Sequence, residues 1–335
     1  MKVKHLLLNL LAGLCLPACD VPGTRQTERP SENAVLVIHG GASYPTATRN
    51  NPIRDSIVKA EMRRALLAGR AILKAGGSST DAVVATIQML EDSPYFNAGK
   101  GAVFSYDGIN ELDASLMDGK DRRAGAVAAV TTIRNPIRAA RLVMDSSDNV
   151  LMVGRGAEAF AALKRLPMVP NAYFFTEDSW AELQQTKAAA NQPALSRKGQ
   201  KYGTVGCVAL DQRGNLSAGT STGGRSNKRW GRIGDSPIIG ASTYADNRYC
   251  GVSSTGWGEY FIRNCAAHSV VAMMEYKGVS SREAADSVMY GKMKGVEGGI
   301  IALDRQGRVS MPFNTPVMNR GYITLTGEPQ VFIYK

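Results

Sequence analysis

Side chains able to pair a nucleophile with a base are scarce in this chain of 335 residues, which has only three His. His5 falls in an apolar N-terminal stretch, leaving His39 and His268 for any His-dependent triad. Gly219-Thr220-Ser221-Thr222-Gly223 fits the G-x-S-x-G elbow, and Ser221, Asp246 and His268 follow in the order of an α/β-hydrolase triad. That elbow requires a helix directly after the Ser. The continuation Gly223-Gly224-Arg225-Ser226-Asn227-Lys228-Arg229-Trp230-Gly231 does not form one. Gly154-Arg155-Gly156 and Gly256-Trp257-Gly258 lack the third Gly of a dinucleotide fingerprint, and there is no phosphate-binding P-loop motif. No Cys-x-x-Cys or His cluster points to a transition metal. Another chemistry needs no separate base. A Thr at a new N-terminus carries an α-amino group with a reference pKa of about 8, which can take its own hydroxyl proton. Lys201-Tyr202-Gly203-Thr204-Val205-Gly206-Cys207 offers such a place, because a polar segment ends there and a strand begins at Thr204. Attack of the Thr204 hydroxyl on the Gly203 carbonyl would cut the chain, and a residue without Cβ tolerates the backbone angles of a strained scissile bond. Gly-Thr-Val by itself reads equally well as a strand start, so its surroundings decide.

The elements needed to position Thr204 follow from periodicity. Ala34-Val35-Leu36-Val37-Ile38 is a buried strand closed by His39-Gly40-Gly41-Ala42. Val58, Met62, Ala65, Leu66, Gly69, Ile72 and Leu73 mark a helix that stops at Gly76-Gly77. Ser79 or Thr80 caps a second helix running to about Leu90, and 91–119 reads as a structured loop with short strands. A strand over 126–133 precedes Asn135-Pro136, a cap with Pro at the first helical position, and a helix through Met144. A strand at 150–153 and a helix over 157–163 follow, and 191–202 has no apolar face and reads as the most mobile segment. Beyond Gly203 strands are expected at 204–210, 216–222, 237–244, 250–255, 299–304, 308–312 and 321–325, with helices over 264–277 and 281–291. Helices flanking two groups of strands imply a layered α+β or α/β architecture.

Composition bounds the rest. A hydrophobic fraction of 44% and a charged fraction of 21% are ordinary for a globular protein. The net charge of +11 is spread along the chain without a basic block, so no nucleic-acid partner is expected. Residues 1–19 read as an export leader: Lys2 and Lys4 are a basic start, and Leu6 through Leu16 are apolar but too short to span a bilayer. Leu16-Pro17-Ala18-Cys19 is similar to a lipobox, so the mature protein is expected in the periplasm, either soluble or anchored by a lipid on Cys19. Residues 20–33 form a polar tether. Cys207, Cys250 and Cys265 are too few for a disulfide framework, though a Cys250–Cys265 pair is open to an oxidising compartment.

Motifs in one order tie these pieces together. They include His39-Gly40-Gly41-Ala42, Phe96-Asn97-Ala98-Gly99-Lys100-Gly101, Glu111-Leu112-Asp113-Ala114-Ser115-Leu116-Met117-Asp118-Gly119 and Asn135-Pro136-Ile137-Arg138-Ala139-Ala140-Arg141. They continue with Gly203-Thr204-Val205-Gly206, Ser221-Thr222-Gly223-Gly224, Gly231-Arg232-Ile233-Gly234-Asp235-Ser236-Pro237, Ser254-Thr255-Gly256 and Pro312-Phe313-Asn314. From Val35 to Tyr322 the chain resembles the isoaspartyl peptidase/plant-type L-asparaginase family of N-terminal-nucleophile (Ntn) threonine hydrolases. The resemblance implies an α+β fold, an αββα four-layer sandwich. It also implies self-cleavage into an α subunit (34–203) and a β subunit (204–335), and an (αβ)2 heterotetramer.

Carried onto this chain, the resemblance makes Thr204 the nucleophile and Gly203-Thr204 the cleavage site. Thr222 supports the Thr204 hydroxyl, Asn97 orients the Thr and a water, and Thr255 with the N–H of Gly256 resembles an oxyanion hole. Arg232 and Asp235 resemble the clamp on a substrate α-carboxylate and α-ammonium. Backbone carbonyls of Leu90, Glu91, Ser93, Phe96, Ala98 and Lys100 resemble a structural sodium site, the only ion implied, and none is required for chemistry. The expected substrates are isoaspartyl dipeptides and L-asparagine. Glycosylasparaginase activity is the nearest rival, although that branch commonly has Thr-Asn-Gly where this chain has Thr222-Gly223-Gly224. The rival from another class is a non-catalytic exported amino-acid-binding protein.

Overall fold

A computed structural model describes residues 33–45, 51–190 and 203–335. The leader, Cys19, the tether through residue 32 and the polar stretch 191–202 lie outside the described residues. The described chain starts with β1 (Val35–Ser43), α1 (Pro52–Lys74), α2 (Ser79–Glu91), β2 (Leu112–Asp118), β3 (Ala124–Val130) and α3 (Pro136–Ser146). Then come β4 (Leu151–Val153), α4 (Gly154–Leu163) and α5 (Glu177–Ala190). After Gly203 follow β5 (Val205–Leu210), β6 (Leu216–Thr222), β7 (Thr243–Ala245), β8 (Cys250–Gly256), α6 (Gly258–Asn264), α7 (Ala266–Lys277) and α8 (Ser281–Asp286). The last strands are β9 (Gly298–Asp304), β10 (Val309–Ser310), β11 (Val317–Thr324) and β12 (Gln330–Tyr334).

Eight strands form one sheet in the order β12-β11-β1-β5-β6-β2-β3-β4, and four form a second in the order β10-β9-β8-β7. Strand alternation explains why the sheets stack. In β1, Leu36 and Ile38 point into a core shared with α1, α2 and α3, while Val35 and Val37 point into the space between the sheets. In β5, Cys207 and Ala209 join the first core, whereas Val208 and Leu210 meet Ile301 and Leu303 of β9 in the second. A third core packs α6, α7 and α8 on the outer face of the small sheet through Phe261, Val270, Ala285 and Ile300. The result is the four-layer αββα sandwich. Side chains buried this fully stabilise the fold by about 1.5–3 kcal/mol each. Gly206 lies where the layers are tightest: a Cβ there would run into the Ser253 hydroxyl and the His39 ring.

Some elements differ from the sequence reading. Only Thr243–Ala245 of the stretch 237–244 is strand, because 235–242 folds into successive turns, with Ile238 N–H donating to Asp235 O and Ala241 N–H to Ile238 O. The helix expected over 264–277 is present as α7, and a short helix the sequence did not show, α6, precedes it, separated by Cys265 at a left-handed φ of 45°. Helix α5 and edge strand β12 carry too little periodicity to stand out. Ser78, rather than Ser79 or Thr80, caps α2 by accepting the Asp81 N–H at 3.0 Å. Asn135 precedes α3 without capping it. Its amide donates to Asp92, and the Ile137 N–H is taken by the Glu91 carboxylate from α2 at 3.0 Å. Cys207, Cys250 and Cys265 are all free thiols, Cys250 buried and Cys265 exposed, so the Cys250–Cys265 pair does not form. No helix among the described residues is long and apolar enough to cross a membrane.

Candidate active site

Three strands end together at one edge of the sandwich. Central strand β5 runs between β1 and β6, with Gly206 opposite His39 on one side and Thr220 on the other. This register sets Thr204, just ahead of β5, beside Thr222 at the end of β6. Strand β8 of the second sheet brings Thr255 and Gly256 to the same edge. Gly203, Thr204, Thr222, Arg232, Asp235 and Gly256 line one cleft, and Asn97 and Thr255 are fully buried beside it.

Hydrogen bonds converge on the Gly203–Thr204 peptide. The Gly203 carbonyl accepts from Asn97 Nδ2 at 2.8 Å and from the Thr222 hydroxyl at 3.0 Å. The Thr204 hydroxyl donates to Thr222 Oγ1 at 3.2 Å, and that oxygen also accepts the Gly224 N–H at 3.0 Å. Asn97 cannot turn away: its second amide hydrogen goes to Gly224 O at 2.7 Å, and its Oδ1 accepts the Val103 N–H at 2.9 Å. The arrangement polarises the Gly203 carbonyl with two fixed donors and offers the Thr204 proton an acceptor. Gly41, at φ 103°, makes room for this approach, since a Cβ there would lie 2.9 Å from Gly203 Cα. Thr255 Oγ1 accepts the Ala42 N–H at 3.3 Å, tying the β1 loop to the second sheet.

His39 stands behind Thr204, a contact that His39-Gly40-Gly41-Ala42 did not disclose as a motif. Its Nδ1 lies 2.9 Å from Thr204 O and its Nε2 3.0 Å from Ser253 Oγ. Burial pushes the imidazole down to about 3, so it is neutral at working pH. A carbonyl only accepts, so the proton sits on Nδ1 and Nε2 accepts the Ser253 hydroxyl. The ring thereby holds the carbonyl side of Thr204 while Thr222 engages its hydroxyl.

Arg232 and Asp235 share the cleft wall, but a third residue holds the guanidinium. Arg232 Nε and Nη2 meet the two carboxylate oxygens of Glu259, each at 3.0 Å. Glu259 gives no sign of this in sequence, because the short helix α6 that presents it is not legible there. Asp235 is buried, and its Oδ2 has no hydrogen-bond partner among the described residues. Burial raises its carboxyl to about 6, against the pull of Arg232. A buried carboxylate oxygen facing a cleft without a partner suits an incoming ammonium group.

The loop between α2 and β2 carries Asn97. A Cβ on Gly99 would strike Glu91 O, and one on Gly101 would strike Phe96 O and come within 2.8 Å of Pro94 O. Carbonyl oxygens thus crowd this turn. Leu90 O accepts the Asp92 and Ser93 N–H groups, and Ala98 O accepts the Gly101 N–H with a second lone pair remaining. Such an all-oxygen set fits a hard cation. The Glu91 side chain faces away from that role: its Oε1 accepts the Ser221 hydroxyl and the Ile137 N–H, and burial raises its carboxyl to about 8. Among the described residues no group of three or more His, Cys, Asp or Glu could hold a metal.

Comparison with known proteins gives the family. The family model described as "Asparaginase" matches residues 32–333. An isoaspartyl peptidase of Escherichia coli is 44% identical over 313 residues, covering 90% of this chain and 96% of that protein. An isoaspartyl peptidase of Salmonella typhimurium is 43% identical over 310 residues, 90% of this chain and 99% of its own length. A human isoaspartyl peptidase/L-asparaginase is 42% identical over 278 residues, 82% of this chain and 88% of its own. The chain therefore belongs to the asparaginase family of N-terminal-nucleophile hydrolases.

Proposed function

We propose that this chain is an isoaspartyl peptidase with L-asparaginase activity that activates itself by cutting its own Gly203–Thr204 bond. One observation carries the reading: the Gly203 carbonyl accepts from both Asn97 and Thr222 while the Thr204 hydroxyl donates to Thr222. In the precursor, Thr204 Oγ adds to the Gly203 carbonyl carbon as its proton passes to Thr222. Asn97 Nδ2–H and the Thr222 hydroxyl hold the resulting oxyanion. Thr222 passes a proton on to the Thr204 nitrogen as the C–N bond breaks, which leaves an ester on Thr204 and frees its α-amine. Water then hydrolyses the ester to a Gly203 carboxylate and a free hydroxyl.

In the mature form the neutral α-amine takes the Thr204 proton as Oγ attacks the side-chain carbonyl of a β-aspartyl group. Thr255 and the Gly256 N–H stabilise the developing oxyanion, and Thr222 keeps the hydroxyl aimed. The leaving amine departs with a proton from the α-ammonium, and water releases aspartate from the β-aspartyl ester. Arg232 binds the substrate α-carboxylate and Asp235 its α-ammonium. Leu90, Glu91, Ser93, Phe96, Ala98 and Lys100 would hold a sodium ion through their carbonyls, which would stiffen the loop that fixes Asn97. The assembly is an (αβ)2 heterotetramer of self-cleaved chains. The basic and apolar character of residues 1–19 supports export to the periplasm, with Cys19 as the point of lipid attachment.

Intact-mass and N-terminal analysis of the purified protein tests the reading. Residues 204–335, 132 of 335, would give a fragment of about 14 kDa by proportion of the 35.9 kDa chain, starting at Thr204. The same sample should release aspartate from a β-aspartyl dipeptide. An intact chain that releases none sinks the proposal.

The pH dependence follows from two groups. Asp235 must be ionised to bind, and its carboxyl sits at about 6. The α-amine must be neutral to act as base, with a reference value of about 8. Log kcat/KM should rise with slope 2 below about pH 6 and slope 1 from there to about 8, then level off. A single slope throughout would remove Asp235 from substrate binding.

A further inference from the structure

A second cleft adjoins the first, sharing Arg225 and Arg232 as walls and extending to Lys228, Arg229 and Trp230. Two features of it stand out. Trp230 is 94% exposed on a backbone with φ 56°, so a large apolar ring is presented to solvent from a left-handed conformation that costs about 1 kcal/mol or more. Arg229 is exposed and has no carboxylate partner among the described residues. Its guanidinium lies 3.7 Å above the Tyr106 ring, which Lys187 Nζ approaches to 4.6 Å. The other cations of the loop are engaged: Lys228 with Glu111 at 3.4 Å, and Arg225 and Arg232 with Glu259 at 3.9 and 3.0 Å. The cleft thus offers a pre-oriented cation beside an exposed aromatic face, at the mouth of the cavity that holds Thr204.

We infer that this cleft is the leaving-group subsite, and that it selects β-aspartyl dipeptides whose second residue has a bulky apolar side chain and a free carboxylate. The inference rests on the proposed function above. With the aspartyl half held by Arg232 and Asp235 and its side-chain carbonyl at Thr204, the leaving side faces the wall formed by Arg225, itself paired with Glu259. Beyond Arg225 lie Arg229 and Trp230. The leaving half of a dipeptide carries the two matching groups, a carboxylate for Arg229 and a side chain to lie on Trp230. L-Asparagine releases ammonia, which reaches neither. The device raises the rate for the dipeptide because contacts remote from the reacting bond help align it.

The test compares kcat/KM for β-aspartyl-phenylalanine, β-aspartyl-glycine, β-aspartyl-phenylalanine amide and L-asparagine, in the wild type, Trp230→Ala and Arg229→Gln. Both substitutions fall on exposed side chains outside the catalytic set, so L-asparagine hydrolysis should change by less than about twofold. Trp230→Ala should lower the phenylalanine dipeptide about tenfold and leave the glycine dipeptide nearly unchanged. Arg229→Gln should lower both free-carboxylate dipeptides several-fold and spare the amide. Unchanged dipeptide rates, or equal losses on all four substrates, would overturn the subsite while L-asparagine hydrolysis still supports Thr204. A wild type that hydrolyses none of the four defeats the proposed function and the subsite with it.

Discussion

Thr204→Ala is expected to leave the chain uncut and to lower β-aspartyl hydrolysis by at least about 10⁴-fold, the scale on which losing a nucleophile acts. In the proposed mechanism the hydroxyl serves twice, first on the Gly203 carbonyl and then on the substrate. Its loss therefore stops maturation, and no α-amine appears to act as base. Thr204 is buried, with Thr222 against its hydroxyl and His39 against its carbonyl, so a folding defect could imitate a chemical one. Thr204→Val separates the two because it keeps the branched shape and loses only the hydroxyl. Both variants should remain single chains by mass, with melting temperatures near that of the precursor. A fragment beginning at residue 204 in either variant would mean that another group cuts the chain.

Arg232→Ala should lower kcat/KM by about 10²–10³-fold, mostly as a raised KM, without slowing the cut at Gly203. Removing one partner of a hydrogen-bonded charge pair in a partly buried site costs about 2–5 kcal/mol, and here it would leave both the substrate carboxylate and Glu259 without the fork. The Gly203 carbonyl is held by Asn97 and Thr222, not Arg232, so maturation has no reason to respond. Arg232→Lys restores the charge but not the two-pronged geometry and should recover only part of the loss. Steady-state kinetics beside a processing time course would read both effects. Slow processing in Arg232→Ala would place the guanidinium in the self-cleavage step.

Much of this architecture was legible in the residues. Continuous apolar runs such as Val35–Ile38 and 205–210 announce strands buried on both faces, which requires layers above and below them. The helical spacing of Val58, Met62, Ala65 and Leu66 gives the face that α1 lays on the large sheet. The ordered motifs named the family and with it Thr204. Segments ruled by short-range turns were not legible. The stretch 237–244 has strand composition but is bent by turn hydrogen bonds, and α6 is too short to show a period.

Sequence by itself therefore determined which side chains are present, which of the strongly periodic segments are strand or helix, and that a Gly-Thr junction lies where a strand begins. Tertiary structure alone decided what surrounds that junction. Asn97, Thr222, Thr255 and His39 come from four separate stretches and meet because β1, β5 and β6 are neighbours and β8 stacks behind them. Glu91 caps α3, Glu259 holds Arg232, and Asp235 keeps an unpartnered oxygen in the cleft. The physical reason is that hydrophobic periodicity encodes which face of an element is buried, whereas a polar contact depends on register and layer stacking between elements far apart in the chain.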